Sequence, residues 1–106
     1  MSLDIYLELD GQYVYEANLT HNLTKMASAA DLYKSLWLCD EYGIAIAEDL
    51  IEHLEHGLSN LIKNKDRMED LNPSNGWGSY EGLIKVTCSY LSACYKYPKA
   101  KIELSR

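Results

Sequence analysis

The sequence has few of the features that are typical of secreted proteins, of membrane proteins and of proteins with a structural metal site. Its 3 cysteines, Cys39, Cys88 and Cys94, are an odd number without a C-x-x-C pair. This favours reduced thiols over disulfides or a structural zinc site. No stretch approaches the roughly 20 apolar residues of a membrane span, and the first residues lack the basic start and apolar run of a signal peptide. We therefore predict a cytoplasmic protein without a membrane partner.

Positive charge is also scarce, because 10 Lys and Arg residues face 16 Asp and Glu residues and leave a net charge of -6. A protein that binds DNA or RNA must neutralise a run of phosphates, so this balance disfavours polymeric nucleic acid as a partner. The length of 106 residues suits one domain, and 47% hydrophobic with 25% charged residues is an ordinary folded composition. We predict a single domain over residues 1–106.

Common enzyme signatures are missing as well. The chain has no glycine-rich phosphate loop and no nucleophile elbow, and no cysteine has a histidine close by in sequence. His53 and His56 lie one turn apart in a predicted helix, but their spacing with the neighbouring glutamates matches neither H-E-x-x-H nor H-x-x-E-H. A solvated helix face explains these histidines better than a metal site, so we predict no metal and no cofactor.

Alternating apolar residues predict a hairpin followed much later by a third strand. Apolar and polar residues alternate from Leu3 to Leu9, and Asp10-Gly11 supplies a turn. The odd-numbered residues from Tyr13 to Leu19 form one face of the return strand. The segment Lys101–Ser105 alternates like an edge strand, and we expect it to join the hairpin.

Apolar spacings of three and four predict the helices. The predicted helices are residues 23–36 with Asn22 as the cap, residues 46–62, a short turn over residues 65–71, and a helix capped by Ser79 that ends before Pro98. Three strands cannot enclose a core alone. We therefore predict a two-layer α+β fold in which three to four helices cover one face of a small three-stranded sheet.

Hydrogen-bonding residues gather where the second strand runs into the first predicted helix. A helix N-terminus presents free N–H groups and the positive end of a dipole, which favours phosphate or carboxylate. The alternative is that these residues only cap the helix and satisfy the turn. The candidate ligand-binding residues here are Asn18, Thr20, His21, Asn22 and Lys25.

The loop at residues 72–80 is the second candidate. Gly76 and Gly78 flank Trp77, so the backbone can approach a ligand and present a large flat ring. Aromatic rings stack on unpaired bases, and an asparagine can read a base edge. The alternative is a structural turn in which Trp77 closes the edge of the core. The candidate residues of this part are Trp37, Asn72, Asn75, Trp77 and Tyr80.

Several runs resemble a small uncharacterised protein family of bacteria and their phages. They are T-H-N-L at residues 20–23, L-W at 36–37, N-P-x-N-G-W-G-x-Y at 72–80 and Y-L-x-A-C-x-x-Y-P at 90–98. The resemblance spans nearly the whole chain and implies bacterial or phage cytoplasm, but no reaction. The chain departs from the family at Leu38-Cys39, where the family has Arg-Pro or similar, and at His53, where it has proline. The departures imply that Cys39 and His53 are poor candidates for the function.

These observations predict a non-enzymatic binding protein for a small nucleotide-like anion. By analogy with small acidic phage proteins, it would be a sponge for nucleotide immune signals of the cyclic dinucleotide or ADP-ribose type. One alternative is a nucleotide hydrolase or phosphodiesterase with His21 as general base and Lys25 stabilising charge. Another is an acidic protein that blocks a partner protein directly. The 9 tyrosines favour a homo-oligomer with the site near a subunit contact.

Overall fold

The computed structural model describes residues 1–106 and contains three strands and five α-helices. The strands are β1 (Ser2–Leu9), β2 (Gln12–Thr20) and β3 (Lys101–Ser105). The helices are α1 (Thr24–Ala29), α2 (Tyr33–Trp37), α3 (Ala47–Lys63), α4 (Lys65–Glu69) and α5 (Tyr80–Lys96). Short 3-10 turns at His21–Leu23 and Cys39–Tyr42 precede α1 and follow α2.

The three strands form one antiparallel sheet in the order β2-β1-β3. The hairpin turn places Asp10 and Gly11 at φ 54° and 80°, the left-handed backbone that a two-residue turn between strands requires. β3 pairs with β1 along its whole length, which confirms that the terminal strand joins the hairpin. The alternation of β1 buries Leu3, Ile5 and Leu7. Helices pack on that face, so the predicted α+β fold is confirmed.

A β-bulge changes the face on which one tyrosine of β2 lies. The pairing of β1 with β2 slips by one residue after Leu7, and Val14 is the extra residue. A one-residue slip moves the following side chains to the other face of a sheet. Tyr13 therefore stacks on Tyr6, with ring centroids 4.9 Å apart, on the face away from the helices. The predicted strict alternation of the strand is wrong at Tyr13.

The single helix predicted over residues 23–36 is also wrong, because the chain turns between α1 and α2. Asp31 takes a left-handed conformation with φ 61°. Its amide donates to the Ser28 carbonyl at 3.1 Å, and the Leu32 amide donates to the Ala27 carbonyl at 2.7 Å. This pair of bonds is the Schellman motif that ends helices. Glycine is the usual residue at the left-handed position of this motif. Because Asp31 occupies that position here, the sequence does not indicate that the helix ends.

α3 and α5 form the main part of the helical layer. Leu50, Leu54 and Leu61 of α3 are fully buried, which confirms the apolar stripe predicted for this helix. Ser79 caps α5 as predicted, because its Oγ accepts the Gly82 amide at 3.1 Å. The short helical turn predicted after residue 65 is α4. None of the helices has the length and apolar character needed to cross a membrane.

The segment between α1 and α2 lies directly against α3. A Cβ atom at Gly57 would stand 2.1 Å from Cδ2 of Leu32, so only glycine permits this approach. One turn further along α3, Asn60 donates from Nδ2 to the carbonyl of Ala30 at 2.9 Å. These two contacts fix Asp31 and the start of α2 relative to the polar side of α3.

Candidate functional site

The first predicted segment enters a 3-10 turn rather than a long helix. Thr20 caps this turn, since its Oγ1 accepts bonds from the backbone amide and from Nδ2 of Asn22, at 3.3 and 3.0 Å. The prediction of Asn22 as the cap is therefore wrong, because Asn22 already lies inside the turn. α1 has only 6 residues, so the dipole expected from the predicted helix is much reduced here.

The other polar residues of the first segment lie in different surroundings. Asn18 lies on the face of the sheet away from the helices, where its Nδ2 donates to Oδ1 of Asp4 at 2.7 Å. Lys25 is exposed on α1. His21 is half-buried and contacts Trp37, with ring centroids 6.2 Å apart. The segment thus does not gather its side chains around one ligand position.

Trp37 is a packing residue in this fold. It is 2% exposed, and its ring stacks on Tyr33 with centroids 5.8 Å apart. Its Nε1 donates to Nδ1 of His21 at 2.9 Å, so a neutral His21 carries its proton on Nε2. Arg106 donates to the Trp37 carbonyl at 2.7 Å. No face of the Trp37 ring is free to stack on a base.

The side chains of the second predicted segment mostly hold the loop and α5 together. Oδ1 of Asn72 accepts the Tyr80 amide at 2.8 Å, and Oδ1 of Asn75 accepts the Trp77 amide at 2.9 Å. Tyr80 is 4% exposed, and its hydroxyl donates to the Leu61 carbonyl at 2.7 Å. Trp77 is 69% exposed, so the alternative in which it closes the core edge is wrong. It is the one ring of the predicted set that a ligand can reach.

The two predicted segments do lie side by side. A Cβ atom at Gly78 would stand 2.7 Å from Cγ2 of Thr20 and 2.9 Å from Cγ of Leu23, and Gly78 has φ 99°. The contact is therefore direct packing of the loop backbone against these two side chains. It leaves no gap for a ligand at the point where the segments meet.

A pocket lies instead between α2, the following 3-10 turn and α3. Its volume is about 340 Å³, which is in the lower part of the range for small-molecule sites. Its lining is mostly polar and consists of Asp31, Lys34, Ser35, Tyr42, Ile44, His53 and His56. The turn at Asp31 and the contact at Gly57 bring these elements together.

Two polar contacts organise the pocket. Nε2 of His56 donates to Oδ2 of Asp31 at 3.0 Å, and both side chains are largely exposed. The ammonium of Lys34 lies 5.2 Å from the ring centroid of Tyr42, within the range of a cation–π contact. Tyr42 is 56% exposed. The pocket therefore presents an aromatic ring and several nitrogen groups to solvent.

The predicted solvated helix face agrees with the exposure of His53 and His56, but the sequence does not predict the pocket beside them. Their spacing of one turn on α3 was the available signal, since it puts both on one side of the helix. The missing information was tertiary, because Asp31 and Lys34 reach them through the break between α1 and α2. No group of three or more His, Cys, Asp or Glu side chains is placed to hold a metal ion.

Several groups with a shifted pKa lie outside the pocket. Burial raises the pKa of the Cys39 thiol to about 11 and that of Cys94 to about 12. Both thiols stay protonated at neutral pH, so neither acts as a nucleophile there. The hydroxyl of Tyr90 is buried without a hydrogen-bond partner, and burial raises its pKa too. Hydrogen bonds from Arg106 lower the pKa of the Asp40 carboxyl.

Comparisons with known proteins do not add to this picture. No protein-family model matches the sequence, and no curated protein or solved structure matches the chain. The resemblance to a bacterial and phage family stays a prediction.

Proposed function

We propose that the protein is a non-enzymatic binding protein for a small nucleotide-like anion, held in the pocket between α2 and α3. The observation that carries the proposal is the grouping of Lys34, His53 and His56 beside the exposed ring of Tyr42. Two of the chain's 3 histidines line this one pocket, in a protein of net charge -6. Lys34 and the two imidazoles can donate to an anionic ligand, and Asp31 is the one carboxylate in the lining.

The pocket suits both halves of a nucleotide. Lys34 offers three N–H donors to phosphate oxygens, and the ring of Tyr42 offers a stacking surface to a base. A ligand phosphate would draw the Lys34 ammonium from Tyr42 and leave that ring free. The family that the chain resembles has proline at the position of His53. We therefore expect Lys34 and His56 to contribute more to ligand binding than His53. The sequestration of nucleotide immune signals remains part of this proposal.

Calorimetric titration with 5′-AMP, ADP-ribose and cyclic di-AMP tests the proposal. Lys34→Ala should weaken binding of the best of these probes about tenfold or more, since a hydrogen bond from a charged group contributes about 1.5–3 kcal/mol. Lys25→Ala is the matched control, because it removes the same charge from the first predicted segment and should leave the affinity unchanged.

The outcomes separate the two candidate sites. Loss of affinity in Lys25→Ala but not in Lys34→Ala would indicate that the ligand binds at residues 18–25 and 72–80 and not in the pocket. Absence of binding by all three probes would contradict the proposal. Heating the loaded protein should release the probe intact, as expected of a sponge and not of an enzyme.

The pair formed by Asp31 and His56 favours one alternative, a hydrolase. A carboxylate on Nε2 orients the ring and leaves Nδ1 free to accept a proton from an attacking water. This arrangement fits a general base better than His21, whose Nδ1 already accepts from Trp37. Steady turnover of a probe by the wild type that His56→Gln abolishes would support the hydrolase. It would contradict the proposal of a non-enzymatic sponge.

The predicted homo-oligomer is a separate part of the proposal. Sedimentation with and without the bound probe tests the prediction, and a monomer in both states would contradict it.

A further inference from the structure

The face of the sheet away from the helices is open and strongly acidic. Strand register places Asp4, Glu8, Glu16 and Glu103 on this face, and no ion pair of the structure includes any of them. Lys101 is the only basic residue in the three strands, and it lies on this face as the β3 partner of Glu8. Crowded like charges on one sheet face destabilise each other, so a cationic partner would relieve this repulsion.

A stacked pair of tyrosines lies among these carboxylates. Tyr6 pairs with Glu16 of β2 on one side and with Glu103 of β3 on the other. Tyr13 stacks on Tyr6 with centroids 4.9 Å apart and donates its hydroxyl to Glu103 at 2.8 Å. These contacts hold the Tyr6 ring in place and leave the Glu16 carboxylate without a partner.

A depression of about 280 Å³ opens beside the Tyr6 ring, and Asp4, Glu16 and Asn18 are among the residues that line it. Asn18 donates to one oxygen of Asp4, which orients that carboxylate. The depression thus combines one aromatic ring with two carboxylates and contains no basic group.

We propose that this face docks a basic segment of another protein, with an arginine side chain stacked on Tyr6 and donating to Asp4 and Glu16. A guanidinium is planar and can stack on a ring while its N–H groups point at carboxylates beside it, whereas a lysine ammonium is a point charge. The charge of the face excludes nucleic acid phosphates and anionic lipid headgroups as the occupant. No residue of this surface lines the pocket between α2 and α3, so the inference is independent of the proposed ligand.

Fluorescence anisotropy with a labelled hexa-arginine peptide and a labelled hexalysine peptide tests the docking surface. Asp4→Asn/Glu16→Gln should weaken hexa-arginine binding about two- to thirtyfold, the range for loss of two exposed charge pairs. Tyr6→Val, which keeps a residue suited to a strand, should weaken it about two- to fivefold through loss of the cation–π contact. Hexalysine should bind less tightly and should respond less to Tyr6→Val.

The matched control is Asp49→Asn/Glu52→Gln, which removes two exposed carboxylates from α3. It should change hexa-arginine binding less than Asp4→Asn/Glu16→Gln. Equal effects of the two double variants would show attraction to net charge alone and would overturn the proposal, as would equal affinity for the two peptides. Thermal melts identify any variant that unfolds. If Asp4→Asn/Glu16→Gln unfolds, Glu16→Gln alone replaces it, because Glu16 is at an exposed position of the edge strand. Glu52→Gln is then the matched control.

Discussion

Replacing Gly57 by alanine should destabilise the protein, although alanine is the better helix former. In an open helix this change would stabilise by about 1 kcal/mol. In α3 the new methyl group would stand 2.1 Å from Cδ2 and 2.2 Å from Cγ of Leu32. Leu32 is fully buried, so its side chain cannot turn out into solvent to make room.

The clash should outweigh the helical preference. Overpacking a core typically costs about 1–3 kcal/mol, and contacts this short place Gly57→Ala in the upper part of that range. After subtraction of the helical gain, the free energy of unfolding should fall by about 1–2 kcal/mol. For a domain of this size, the melting temperature should fall by about 4–16 °C. The displaced Leu32 also adjoins Asp31, so the pocket should be disturbed as well.

Urea denaturation followed by circular dichroism measures the effect, and a second substitution identifies its cause. Leu32→Ala alone should cost about 2–5 kcal/mol. In the Gly57→Ala background it should cost less, because the new methyl group occupies part of the vacated space and the two changes are coupled by about 1 kcal/mol or more. A Gly57→Ala variant at least as stable as the wild type, or strict additivity of the two changes, would refute the contact.

The surroundings of individual side chains give further expected outcomes. Tyr80→Phe should lower the free energy of unfolding by about 0.5–1.5 kcal/mol through loss of a buried hydrogen bond. Tyr90→Phe removes a buried hydroxyl that has no partner, so it should be neutral or stabilising in the same urea assay. Trp77→Ala should change stability by no more than about 0.5 kcal/mol because the ring is exposed, and a large drop in the melting temperature would contradict this. A disulfide-exchange reagent at neutral pH should modify Cys88 rapidly and the two buried thiols only in denaturant, because burial keeps the reagent away from them and raises their pKa. Rapid modification of all three in the native protein would show that the buried thiols are accessible.

Local patterns predicted those parts of the fold that neighbouring residues determine. The alternation of Leu3, Ile5 and Leu7 is a property of one strand, and the Ser79 cap needs only the first turn of its own helix. The break at Asp31 and the bulge at Val14 were missed because each depends on contacts outside its own helix or strand. Asp31 is held over α3 by Asn60 and Gly57, and the bulge is defined by pairing with β1.

The candidate site was less predictable than the fold. Trp37 and Tyr80 look like stacking residues in the sequence, but both are buried, and their polar groups bond within the chain. The pocket residues are common residue types without a recognisable spacing across the chain. Asp31 and His56 meet only after α2 has packed on α3, so no local pattern could have paired them.

Amide NMR titration with 5′-AMP tests the central claim most directly, because it reports the position of binding at each residue. The pocket between α2 and α3 predicts that the largest shifts fall at Lys34, Tyr42, His53 and His56, and that Lys34→Ala removes them. Largest shifts in residues 20–25 and 72–80, or no shifts at saturating probe, would contradict binding in this pocket.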